Sequence, residues 1–137
     1  MNLIDKLMEA DPSKLMERKT KKLKSDRLTE LTGSMDPVEI TIQSIPKRRL
    51  NQLLSIQMDK KGNYNFERSI DAQLMVIVEG MKEPDMKNKD LQTHFGAQTP
   101  KDLAERLFDT EITKISDEIM GLCGMDDDED TEDAIKN

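Results

Sequence analysis

His94 is the only histidine and Cys123 the only cysteine in the chain, so a Ser-His-Asp or Cys-His arrangement would have to pass through one of them. Neither has the right company. His94 sits in a polar helical turn, Gln92-Thr93-His94-Phe95, with nothing nearby that marks a nucleophile, and reads as a surface or half-buried structural histidine. Cys123 stands beside Leu122 and Gly124 at the end of an apolar stripe and reads as a small core residue rather than a reactive thiol. There is no glycine-rich phosphate loop, no CxxC and no HExxH. The residues point away from catalysis and offer no cofactor or metal site.

Charge is the next place to look for chemistry, and its position matters more than its sum. The net charge is −7, but seven acids and one lysine between Asp126 and Asn137 account for −6, leaving a body close to neutral. A calcium loop needs alternating acids and a glycine at its sharp turn, and Asp126 to Asp133 has no glycine, so a solvated disordered tail is expected over 125–137. Lys14 to Arg27 holds seven basic residues against two acids. Counterion release would favour such an arm on a phosphate backbone, yet it has no aromatic side chain to stack on bases, and a charged arm or strand is the better expectation. The single cysteine excludes an internal disulfide and fits a reducing compartment. The longest uninterrupted apolar run, Leu74 to Val78, falls far short of the roughly 18 residues of a membrane span. The N-terminus lacks the pattern of a secretion signal, and an intracellular protein is expected.

The elements are punctuated clearly. Leu3, Ile4, Leu7 and Met8 form a short amphipathic helix broken at Asp11-Pro12, giving an amphipathic and basic arm over 1–19 before a globular region over 20–124. Val38, Ile40 and Ile42 alternate with polar neighbours and predict a strand, with residues near Thr20 to Leu31 as its antiparallel partner. Leu50, Leu53, Leu54 and Met58 predict a helix ended near Gly62. Asn65 caps a central helix whose stripe is Phe66, Ile70, Leu74, Ile77, Val78 and Met81, widened by Met75 and Val76. Asn88 caps a short helix bearing Leu91 and Phe95, ended by Gly96; Thr99-Pro100-Lys101-Asp102 opens another bearing Leu103 and Leu107; Ile112, Ile115, Ile119 and Leu122 form the last. The expected fold is α+β and predominantly helical, with four or five packed helices, a small two-stranded antiparallel element and flexible termini.

Ten methionines against three phenylalanines suit either a pliable core or a surface that accepts varied apolar partners. Met81, Met86, Met120 and Met125 lie near expected helix ends, where exposure is anticipated, and with Phe95, Leu107, Phe108 and Leu122 they make the expected partner-binding set. A helical partner laid into an apolar groove is the natural mode.

The stretch Lys60-Lys61-Gly62-Asn63-Tyr64-Asn65-Phe66, the long helix after it, Glu83-Pro84-Asp85, Asp90-Leu91-Gln92 before Phe95-Gly96, Thr99-Pro100-Lys101-Asp102-Leu103, and Glu111-Ile112 leading to Gly124 resemble the tail assembly chaperones of long-tailed bacteriophages, the XkdN-like group in particular. The similarity runs from about Pro37 to Gly124, and Asp109-Thr110 stands where members often carry a proline-glycine pair. The resemblance implies a non-enzymatic protein of the host bacterial cytoplasm, absent from the mature virion. Its implied partner is the tape measure protein, held soluble until the tail tube polymerises around it, with the tail tube protein as a possible second partner and neither nucleic acid nor membrane involved. Two other readings stay open: a nucleic-acid-associated regulator using Lys14 to Arg27, and a minor structural protein of the virion tail.

Overall fold

In the computed structural model, which describes residues 2–125, the polar and glycine punctuation of the sequence sits at the element ends. The expected acidic tail, except for Met125, lies outside the described residues. The order is α1 (Leu3–Glu9), β1 (Thr20–Lys24), α2 (Asp26–Thr32), β2 (Glu39–Gln43), α3 (Lys47–Leu54), α4 (Phe66–Gly80), β3 (Met81–Glu83), α5 (Lys89–His94), α6 (Pro100–Phe108) and α7 (Ile112–Leu122), with short 3-10 turns at Pro12–Met16, Ser55–Gln57 and Asp109–Glu111. The fold is α+β and predominantly helical.

The anticipated caps form. The side chains of Asn65, Asn88 and Thr99 accept hydrogen bonds from the amides of Glu67, Leu91 and Asp102, relieving donors that the first turn of a helix leaves unpaired. The α7 chain reverses at Gly124, whose φ of 85° is the left-handed conformation that only glycine adopts without strain, and Met125 N–H donates to the Met120 carbonyl. Asp109 ends α6 at φ 36°, an angle closed to proline.

Two expectations are corrected. The sheet has three antiparallel strands in the order β1-β2-β3, not two: Met81–Glu83, expected as the end of the central helix, leaves α4 at Gly80 and pairs with β2. Three residues are too few for an alternating pattern to declare itself. The partner of β2 is confined to Thr20–Lys24, in register from Thr20 opposite Gln43 to Lys24 opposite Glu39. The rest of the segment expected as strand is α2, which is why Leu28 and Leu31 are spaced by three rather than two. Six α-helices, α2 to α7, therefore contribute buried residues, one more than anticipated.

Helix α4 is central and packs against α3, α6 and α7. Its Leu74, Val76 and Ile77 are sealed from solvent together with Leu50, Leu103, Phe108 and Ile119, while Ile40 and Ile42 of β2 close the core from the sheet side. Burying each such side chain stabilises the fold by roughly 1.5–3 kcal/mol before entropy is charged against it. Gly80 allows the closest approach: a Cβ there would lie 2.6 Å from a side-chain carbon of Ile119. The first turns of α4 behave differently. Phe66 and Ile70, expected on the buried stripe, are 81% and 39% exposed.

Candidate functional site

The expected partner-binding residues divide into three groups. Met81, Met86, Leu107 and Phe108 are buried in the core, so the anticipated exposure of Met81 and Met86 is corrected: Met81 faces inward from β3, and Met86 follows it beneath α5. The Met86 carbonyl accepts from the buried Gln92 side chain at 2.9 Å, which ties this loop to α5. Phe95, Met120 and Leu122 are half-buried and pack against the core, and Met125 is exposed. Met81 and Met86 are buried and Met125 is exposed, so the four methionines do not share one exposed surface. Phe95 and Leu107 do meet, in a shallow cleft of about 310 Å³ shared with Arg27, Glu30, Leu31 and Arg106. The Arg27 guanidinium donates to the carbonyls of Arg106 and Leu107 and so fixes one wall.

Leu31 in this cleft is 55% exposed, and further large apolar side chains are exposed in two other places. Around the start of α4, Met58 and Tyr64 face each other across an isolated antiparallel bridge, and Phe66 and Ile70 follow one helical turn apart. Tyr64 is 57% exposed. The bridge is a built feature: Asp59 accepts the amides of Lys61 and Asn63, Gly62 takes φ 83°, Asn65 N–H donates to the Gln57 carbonyl, and Arg68 reaches back to the Met58 carbonyl. Residues with β-bridge, cap and side-chain hydrogen bonds hold these apolar groups in place without covering them.

The second display is α1. Its Leu3, Ile4, Leu7 and Met8 share a helical stripe, none is buried, and Leu15 and Met16 in the following turn are exposed as well. A seven-residue helix is too short to be stable in water by propensity alone. Asn2 caps it, and Asp11 caps the next turn by accepting from Ser13, whose amide and then hydroxyl hold the Asp11 carboxyl below its usual value. The stripe is amphipathic as expected, but its full exposure has no local signal, because only the finished core shows which apolar residues are left over.

His94 is exposed, its ring edge-on to Phe95 at 4.9 Å. Cys123 is half-buried, its Sγ accepting from Ile45 N–H at 3.2 Å. Among the described residues no three or more acidic, histidine or cysteine side chains group as metal ligands, and no helix is long and apolar enough to cross a membrane. The arrangement leaves apolar side chains of α1 and of the start of α4 exposed at the surface.

No curated protein matches the chain. The crystal structure of the protein yqbn, a structural-genomics target, superposes with a TM-score of 0.57 over 85% of this chain and 98% of that one at 16% identity, a likeness of fold. The family model for the phage XkdN-like tail assembly chaperone protein matches residues 4–136, nearly the whole sequence, including α1 and the acidic stretch. This chain therefore belongs to the phage XkdN-like tail assembly chaperone family.

Proposed function

We propose that this chaperone binds the tape measure protein of its phage and keeps it soluble until the tail tube polymerises around it, working by contact and not by catalysis. The observation that carries the reading is the surplus of large apolar side chains, Leu3, Ile4, Leu7 and Met8 on α1 and Tyr64, Phe66 and Ile70 at the start of α4, outside a core that is complete without them. A tape measure is a long helix-rich chain with apolar segments, and such segments are covered by amphipathic stripes and small apolar platforms of this kind. Each aliphatic side chain withdrawn from water contributes roughly 1.5–3 kcal/mol, so a handful holds a partner reversibly once ordering costs are met. Release to the growing tube then needs only a competing surface. On this reading the protein acts in the host bacterial cytoplasm, is left out of the finished virion, and meets the tube protein only during hand-over.

Co-expression with the tape measure protein tests it. The native chain is expected to bring the tape measure into the soluble fraction and to co-purify with it, and Phe66→Ser combined with Leu7→Ser is expected to leave it in the pellet. Far-UV circular dichroism of the variant guards against a trivial folding defect. Full solubilisation by a folded double variant would remove these surfaces from the account, and failure of the native chain to bind at all would remove the function.

A further inference from the structure

Two exposed apolar groups of this chain match each other in size and in charge. Leu3, Ile4, Leu7 and Met8 form the stripe of α1, a helix with no buried residue. Met58, Tyr64, Phe66 and Ile70 form a platform at the start of α4, shaped by the Met58–Tyr64 bridge and the Asn65 cap. Seven helical residues are about 10 Å long, enough to lie across a platform whose Phe66 and Ile70 are about 6 Å apart along α4. Asp5 and Glu9 stand one turn apart on one border of the α1 stripe, with Lys6 on the other. Lys60 and Lys61 sit in the loop between Met58 and Tyr64, and Arg68 reaches the Met58 carbonyl; Glu67 follows Phe66, and the Asp59 carboxylate is occupied by the amides of Lys61 and Asn63. The α1 border is therefore acid-rich and the platform base-rich. Asp5, Glu9, Lys60, Lys61 and Arg68 form no salt bridge with another described residue.

The chain path lets them meet. The arm is rooted at Lys19, whose amide donates to Ser44 Oγ at 3.0 Å and whose carbonyl accepts from Ser44 N–H at 2.8 Å. Beside Ser44, the Gln43 side chain donates to the Glu79 carbonyl at 3.3 Å, so the root lies near the C-terminal end of α4. From Glu79 back to Phe66 that helix runs about 20 Å. Between α1 and the root lie residues 10–18, of which Pro12–Met16 form a 3-10 turn. Five residues at about 2 Å and four extended ones at about 3.3 Å span about 23 Å, so α1 reaches the platform with that turn intact. A tether this short gives an effective concentration on the order of millimolar, which favours a weak contact between the two.

We propose that α1 is a strap that closes over the platform at the start of its own α4, Leu3 and Leu7 covering Tyr64 and Phe66 while Asp5 and Glu9 meet Lys60, Lys61 and Arg68. The structure holds the strap open. Closure withdraws both apolar groups from water in the free chain, gives a seven-residue helix the cover it lacks alone, and leaves any partner to compete for either group. The proposal concerns the free chain and does not rest on the tape measure reading.

Tyr64 is the only tyrosine and there is no tryptophan, so the intrinsic fluorescence of the full chain reports the platform without a label. The test compares acrylamide quenching of that signal in the native chain, in Leu3→Ser with Leu7→Ser, and in Asp5→Lys with Glu9→Lys. Because α1 buries no residue, both variants keep their fold, which far-UV circular dichroism checks. Tyr64 is 57% exposed with the strap open, so the quenching constant of the serine variant is expected to be about twofold that of the native chain, with the lysine variant also above native. An intramolecular strap keeps these differences through about a hundredfold dilution. A quenching constant equal to native in either variant overturns the proposal. So does a difference that vanishes on dilution, which assigns α1 to the platform of a second copy.

Discussion

Replacing Gly80 by alanine adds one methyl group where the structure has no room for it. The new Cβ would lie 2.6, 2.8 and 3.0 Å from the Cγ2, Cδ1 and Cγ1 atoms of Ile119, against an ordinary carbon contact of about 3.5–4.0 Å. Ile119 is fully buried between α4 and α7, so it cannot swing into solvent, and the two helices must separate by about 1 Å instead. Overpacking of this kind costs about 1–3 kcal/mol. Alanine recovers at most about 1 kcal/mol of helix propensity, and less here because Gly80 is the last residue of α4. A net loss of about 1–2 kcal/mol is expected in urea unfolding followed by far-UV circular dichroism, with the denaturant slope unchanged. Ile119→Ala removes all three crowded carbons and alone costs about 2–5 kcal/mol. In the double variant the alanine methyl enters the space vacated, so the two losses should fall short of additivity by about 1–2 kcal/mol. A Gly80→Ala protein as stable as the native one, or strictly additive losses, would refute the claim that this contact sets the spacing of α4 and α7.

Four further outcomes follow from other contacts. Ser25→Ala removes the α2 cap, which accepts from Leu28 N–H, and the 2.6 Å bond its hydroxyl donates to Glu111, so a loss of about 2 kcal/mol is expected on chemical unfolding. Ser116 Oγ is buried with no hydrogen-bond partner, and Ser116→Ala should raise stability by about 1 kcal/mol in the same assay. Met86→Ser is expected to cost about 3 kcal/mol or more, whereas Met125→Ser should stay within about 0.5 kcal/mol of native, a contrast that thermal melts of the pair would reveal. The Asp11 carboxyl is held below its ordinary value of 3.8 in the folded turn, so its cap is fully present above that pH and is lost as pH falls through the lower folded value; the Ser13 amide shift should report this fraying while core amides stay in place.

Local punctuation carried most of the chain's secondary structure. Asn65, Asn88 and Thr99 stand before apolar stripes at helical spacing, and Gly96 and Gly124 after them, so hydrogen bonds within three or four residues define α4 to α7 whatever the rest of the chain does. The alternation of Ile40 with Ile42 likewise marks β2 from within. The motif order from Lys60 to Gly124 was enough to bring the family into view. Tertiary structure decided everything that depends on which faces meet. Met81 leaves a helix for a three-residue strand because β2 has a free edge to pair with, and Met86 is buried because α5 closes over it; neither fact has a local signal. Phe66 and Ile70 keep perfect helical spacing with Leu74, yet α4 extends past the elements that cover its middle, and its first turns are left in water. A pattern of apolar residues says that a face wants cover. Only the packed chain shows which faces found it, and which, on α1 and at the start of α4, did not.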